Sequence, residues 1–180
     1  STMSVPGLMQ HQPLLISGLI EHAAMHHGRV EIVSHVSETC LVQSTWADVR
    51  NRSKRLANAL TKLGVEPGHR VATLAWNTHR HLELYFGVSG MGAVLHTVNP
   101  RLFAEQITYI INHAADTYVF FDLGFADQLV AMAGQLPLVK GFVALCTRSD
   151  MPQIALPNLL CYEDLLDAAS SDYAWPRLDE

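Results

Sequence analysis

At 180 residues, with 49% apolar and 16% charged side chains, the chain can bury one real core and has the composition of an ordinary globular domain rather than a disordered one. A net charge of -5 offers no basic footprint for nucleic acid, and no apolar run nears the roughly 18 residues of a membrane span. Three cysteines (Cys40, Cys146, Cys161), odd in number and without a C-x-x-C pair, argue against a disulfide framework or zinc site and for a reducing cytosol.

No charged-then-apolar leader is evident, and Ser1-Thr2 ahead of Met3 reads as a tag remnant, with residues 1–12 as a tail and 13–180 as one unit. The segment PLLISGLIEHAAMHHG predicts a helix with Leu15, Leu19, Ala23 and His26 or His27 on one face, stopped by Gly28. Val30 to Val36 alternates like a half-buried strand, and Leu41 to Ser44 can pair with it across a bend at Glu38-Thr39. Thr45 and Asp48 form a capping-box pattern for a helix that carries Trp46, Val49, Leu56, Leu60 and Leu63 inward. Arg50, Arg52, Lys54 and Arg55 are expected outward, and Gly64 ends the helix as a left-handed cap.

Pro67-Gly68 then turns the chain into Arg70 to Trp76, where five of seven residues are apolar without clean alternation, as fits a strand covered on both faces. Asn77 or Thr78 caps the next helix, with Leu82, Tyr85, Phe86 and Val88-Ser89 in its apolar register. Ala93 to Val98 reads as a second buried strand, Glu105 to His113 as a helix and Thr117 to Phe121 as a third buried strand. Phe125 to Gln135 is a further helix and Gly141 to Cys146 a fourth strand. Beyond Thr147 the pattern loosens to a short strand near Leu159 and a short helix from Tyr162. Strand-helix-strand repeated in this way predicts an α/β fold: a mostly parallel sheet with helices on both faces.

Gly87, Gly90 and Gly92 invite a phosphate-loop reading, but they follow helical sequence and precede a strand. Anion loops run the other way, from strand to helix N-terminus, so helix ending and close packing explain them better. Ser89 lacks the second glycine of a nucleophile elbow, because position 91 is Met. His22 and His26 have the i, i+4 spacing that could place two imidazoles on one metal, yet no third ligand is evident and a wet helix face is the simpler reading. His79 and His81 fall on different helix faces, one near the helix start and the other in solvent, and His96 reads as a hydrogen-bonded core histidine. The loops Asn77-Thr78 and Asn99-Pro100-Arg101 each follow a buried strand, where open parallel sheets receive ligands. Capping and turn formation are equally good explanations for the asparagines. Arg101 offers a planar fork suited to phosphate, or a surface ion pair with Glu105.

Trp46 to Val49, LGVEPGHRVATLAWN, HRHLELYFGVSGMGAVLHTVNPRL, INHAAD and PNLLCYEDLL together resemble the opening third of a bacterial medium- or long-chain fatty-acyl-CoA synthetase, of the adenylate-forming acyl-CoA synthetase superfamily. The resemblance covers residues from about 14 to 180. It implies a parent enzyme that uses ATP, Mg2+ and CoA to turn a fatty acid into an acyl-adenylate and then a thioester. It implies Arg101 as a contact for a CoA phosphate, with Asn99, Asn77 and His79 as accompanying site positions, and a homodimer. The family's Thr-Ser-Gly-Thr-Thr-Gly-x-Pro-Lys-Gly loop, its adenine motif and its lid lysine do not occur in this sequence. The 180 residues are therefore expected to be a subdomain preceding the ATP phosphate loop. On that reading they hold no catalytic residue or metal site, bind no cofactor tightly and are inactive alone, in a cytoplasmic or peripherally membrane-associated enzyme. Two other readings stand beside it: a stand-alone flavodoxin-like nucleotide-binding module and a structural dimerisation domain.

Overall fold

The computed structural model describes residues 16–37, 40–76 and 78–177. Helix α1 (Ile16–His27) ends at Gly28 as expected, but its buried positions are Ser17 and Ile20, and Leu19 is 43% exposed. Strands β1 (Glu31–Ser37) and β2 (Cys40–Thr45) form the antiparallel hairpin, with the bend at Glu38-Thr39 outside the described residues.

Helix α2 (Trp46–Lys62) opens on the full capping box. The Thr45 hydroxyl accepts the Asp48 N–H and the Asp48 carboxylate accepts the Thr45 N–H, each at 3.1 Å. It closes on Gly64 at φ +89°, the left-handed position only glycine takes without a Cβ penalty. Two of its supposedly outward cations are corrected. Lys54 is buried and pairs with Glu21 at 3.1 Å, and Arg52 reaches the fully buried Glu83 at 2.7 Å. The cause is packing on several sides: α2 contacts α1, α3 and α6 (Tyr162–Asp167), which leaves little of its circumference wet.

Five parallel strands carry the body: β3 (Arg70–Leu74), β4 (Val94–Thr97), β5 (Tyr118–Phe121), β6 (Gly141–Ala144) and β7 (Leu159–Cys161). They lie in the order β4-β3-β5-β6-β7. Side chains alternate between two cores. Val71, Tyr118, Phe120 and Val143 pack under α2, α6 and α3 (His79–Gly90), while Ala72, Leu74, Val119, Phe121, Phe142 and Ala144 pack under α4 (Ala104–Ala114) and α5 (Ala126–Met132). The layers are helix, sheet, helix, as expected for an α/β fold.

Two expectations about burial fail. Of the expected α3 register Phe86 and Val88 are buried, but Tyr85 is 41% exposed, and Glu83, Leu84 and Gly87 turn to the core instead. The second strand is not buried: β4 is the sheet's edge, with Val94 45% exposed. Edge position is decided by strand order, which no local pattern encodes.

The glycine cluster serves packing and chain reversal. A Cβ on Gly87 would lie 2.9 Å from the Ser53 carbonyl oxygen, one on Gly90 2.8 Å from Cε3 of Trp175, and Gly92 sits at φ +89°. The segment after α6 packs back over the helices. The Trp175 indole donates to Glu21 at 2.9 Å, and the Asn58 amide donates to the Ser170 carbonyl at 2.7 Å.

Candidate functional site at the carboxyl edge of the sheet

Parallel register lines up the strand tips: Leu74 opposes Phe121, Phe121 opposes Ala144 and Ala144 opposes Cys161. β3 has β4 on one side and β5 on the other, so the chain reverses its direction of travel across the sheet at the β3–β5 boundary. Counted from β3 the order is that of flavodoxin-like sheets, whose ligands bind at this boundary outside the carboxyl ends.

Side chains from β3, α3 and the loops after β3 and β5 gather there. The Trp76 N–H donates to Oδ2 of Asp122 at 2.7 Å, tying the loop after β3 to the tip of β5. The Trp76 indole is 53% exposed and rests 5.7 Å from the Phe125 ring. Nε2 of His81, one turn into α3, lies 3.3 Å from the Thr73 hydroxyl. Burial raises the Asp122 carboxyl above the usual range, against the Trp76 N–H and the charges of Arg80 and His81. Burial likewise lowers the His81 imidazole.

His79 is the first residue of α3 and buried. Burial, then the charges of Arg80 and Arg52, push its imidazole down to about 4, so it is neutral at pH 7. Its Nδ1 has no hydrogen-bond partner among the described residues. Neither His79 nor His81 stands in solvent, which corrects that expectation. Thr78 is the N-cap of α3 without a side-chain bond, and Asn77 lies outside the described residues.

Behind the edge sits a closed set of charges. The Arg80 guanidinium donates to Glu163 at 2.9 Å and to the Leu145 carbonyl at 3.3 Å. Arg52 donates to both oxygens of Glu163 at 2.8 and 3.0 Å and to Glu83, which also accepts from the Tyr162 hydroxyl at 2.9 Å. Burial raises the Glu83 carboxyl, and its bonds to Arg52 and Tyr162 only partly oppose this. At the less buried Glu163 the same burial effect is outweighed by Arg52 and Arg80, and the carboxyl lies below its usual range. Two cations and two carboxylates neutralise one another, so these guanidiniums fix the loop geometry and are not free to grip a phosphate.

The Asn99–Arg101 loop follows β4 on the same edge, held to β3 by the bond from the Val98 N–H to the Thr73 carbonyl at 3.0 Å. Asn99 Oδ1 accepts the Arg101 N–H at 3.0 Å, so this side chain builds the turn. Arg101 is exposed, and among the described residues it has no ion pair with Glu105. His96 is hydrogen-bonded as expected, to the buried Asp116 at 2.6 Å on the amino-terminal side of β5, but it is half-buried on the edge strand and not a core residue. Sequence reasoning missed Asp122, Arg80, Glu83 and Glu163. Asp122 could have been found, because YVFFD places it at the tip of a buried strand as HTVN places Asn99.

Among the described residues no three His, Cys, Asp or Glu side chains are placed to hold a metal ion, and no helix is long and apolar enough to cross a membrane.

The fold defines a doubly wound α/β unit with its candidate ligand edge at the β3–β5 reversal. Residues 19–176 match the model of the AMP-binding enzyme family, and the chain belongs to that family. It is similar to a 3-methylmercaptopropionyl-CoA ligase of Ruegeria lacuscaerulensis, 46% identical over 97% of this chain and 32% of that protein. It is also similar to a medium-chain-fatty-acid–CoA ligase of Ectopseudomonas oleovorans, at 45% over the same shares. The crystal structure of the anthranilate CoA ligase AuaEII with anthranoyl-AMP superposes with a TM-score of 0.78 and 19% identity, over 92% of this chain and 30% of that one. The chain thus spans about a third of the length of these relatives.

Proposed function

We propose that the chain is the N-terminal part of an AMP-forming acid–CoA ligase acting on a fatty acid of medium or long chain. The observation that carries this reading is the 45% identity to a medium-chain-fatty-acid–CoA ligase across 97% of the chain. In the proposed reaction a carboxylate oxygen attacks the α-phosphorus of ATP, releasing pyrophosphate. The CoA thiolate then attacks the acyl carbon and AMP leaves.

The residues present do not fit the triphosphate or its Mg2+. Both arginines behind the ligand edge are paired, and the described residues hold no three-carboxylate cluster. The contribution of this chain is scaffolding: Arg80, Glu163 and Asp122 hold the loop after β3 in place against the tips of β5 and β6. Arg101 fits a CoA phosphate as an exposed guanidinium on a loop pre-shaped by Asn99. His79, the first residue of α3, follows the neighbouring loop of the same edge, and Asn77 is proposed to accompany it. The parent is proposed to be a homodimer in the cytoplasm, with residues 13–180 as its first subdomain.

The acid itself is open to direct assay, because 46% identity to the methylmercaptopropionyl relative and 45% to the medium-chain one do not separate them. A ligase extended to the length of its relatives is expected to release pyrophosphate in the presence of octanoate, ATP, Mg2+ and CoA. Release with 3-methylmercaptopropionate alone would reassign the acid, and release with neither would overturn the reading. The strand order favours one second reading, a flavodoxin-like nucleotide-binding module. That reading requires a saturable thermal shift of the 180-residue chain with flavin mononucleotide or AMP.

A further inference from the structure

On the solvent face of α1, His22 and His26 bring their rings to 4.4 Å between centroids at a tilt of 45°. His27 lies further off, 6.4 Å from His22 and edge-on to it. All three are exposed. Residues four apart on a helix point the same way, about 5–6 Å apart at Cβ. Two imidazoles in that relation can turn about their side-chain bonds until a nitrogen of each lies about 2 Å from one shared point.

We propose that His22 and His26 form a surface site for a first-row divalent transition metal of the Cu2+, Ni2+ or Zn2+ class, with water filling the remaining positions. Three features of the surroundings set this class. First, the nearby carboxylate on the same helix is already engaged: Glu21 pairs with Arg50 at 2.6 Å and Lys54 at 3.1 Å and accepts from Trp175. The donors are therefore imidazole nitrogens, which suit borderline metals and not the oxygen-seeking Mg2+ or Ca2+. Second, His26 lies in the last turn of α1, the helix end that favours a cation. Third, these turns are anchored. The Val30 N–H donates to the His27 carbonyl at 2.9 Å and the Ala47 N–H to that of Gly28 at 3.3 Å, so the two ligands stand on a fixed helix end. No third protein ligand joins them among the described residues, so the site is an open one with exchangeable water. A metal held there would clip the last two turns of α1 and stabilise them by mass action.

The site does not depend on ligase chemistry, which needs Mg2+ and not this metal class. The test is calorimetric titration of the chelator-stripped 180-residue chain with NiCl2, and with MgCl2 as a control. One saturable Ni2+ event without a Mg2+ counterpart is expected. His22→Ala and His26→Ala should each weaken it by roughly tenfold or more, a loss of the order seen for disrupted metal sites. His27→Ala should change it little. All three side chains are exposed, so circular dichroism should show each variant folded. No saturable Ni2+ binding, binding that survives the double His22→Ala/His26→Ala change, or loss confined to His27→Ala would each overturn the proposal.

Discussion

The Tyr162 hydroxyl donates to the Glu83 carboxylate across 2.9 Å with neither side chain exposed to solvent. Arg52 is the cation that makes this burial tolerable, at 2.7 Å from the other carboxylate oxygen. Its removal leaves a buried acid without its counter-charge, which costs about 3–5 kcal/mol. Arg52→Ala is therefore expected to lower the unfolding free energy by that order, read by urea denaturation. Combining it with Glu83→Gln should recover part of the loss, since the stranded charge is gone. Equal instability of the single and double variants would mean that packing, and not charge, dominates.

Acid should weaken the fold through His79. Its imidazole lies at about 4 in the fold, against about 6.5 for the free side chain. Between those values the unfolded chain takes up a proton that the folded one refuses, so stability falls as pH drops through the window and the loss is complete below about 4. Between pH 7 and pH 5 this amounts to about 2 kcal/mol. His81 acts in the same direction. Glu21 and Glu163, held below the usual range, add to acid sensitivity below about 4.5, while Glu83, Asp116 and Asp122 oppose it. The difference between wild type and His79→Gln isolates the histidine, and the variant should show the shallower stability loss between pH 7 and pH 5. Parallel profiles would refute the assignment.

Gly87 is a packing residue. An added Cβ would meet the Ser53 carbonyl oxygen and a Leu56 methyl, both at 2.9 Å, where α3 crosses α2. Gly87→Ala should cost about 1–3 kcal/mol by overpacking, visible as a lower melting temperature. A neutral substitution would show that the two helices can separate without penalty.

Arg101 serves binding and not the fold, on the proposed reading. In the extended enzyme Arg101→Ala should raise the KM for CoA severalfold, with kcat and the melting temperature nearly unchanged. The same comparison with dephospho-CoA should show a smaller difference. An equal effect on both thiols would remove the phosphate contact.

Local chemistry was legible in the sequence, and non-local arrangement was not. Thr45 with Asp48, Gly64 and the mostly apolar, non-alternating stretch around β3 each carry their structural role within a few residues, and all three fold as read. The edge status of β4 depends on where three other strands lie. The inward turn of Arg52 and Lys54 depends on partners 31 residues away at Glu83 and 33 residues back at Glu21. The loosened pattern beyond Thr147 gave no sign of Trp175, which closes over Gly90. At the site, the loops after β3 and β4 could be found from strand-tip position. The Arg80–Glu163 brace could not, because α6 reaches it only through the β6–β7 pairing.

On the proposed reading these residues are a scaffold that a related thioester-forming ligase can accept in place of its own. The most direct test is acid-dependent pyrophosphate release by a chimera in which residues 16–177 replace the matching segment of the Ectopseudomonas oleovorans ligase, beside the 180-residue chain alone. The chimera is expected to turn over with ATP, Mg2+, octanoate and CoA, and the isolated chain to stay at background. A folded but inactive chimera, or turnover by the isolated chain, would contradict the account.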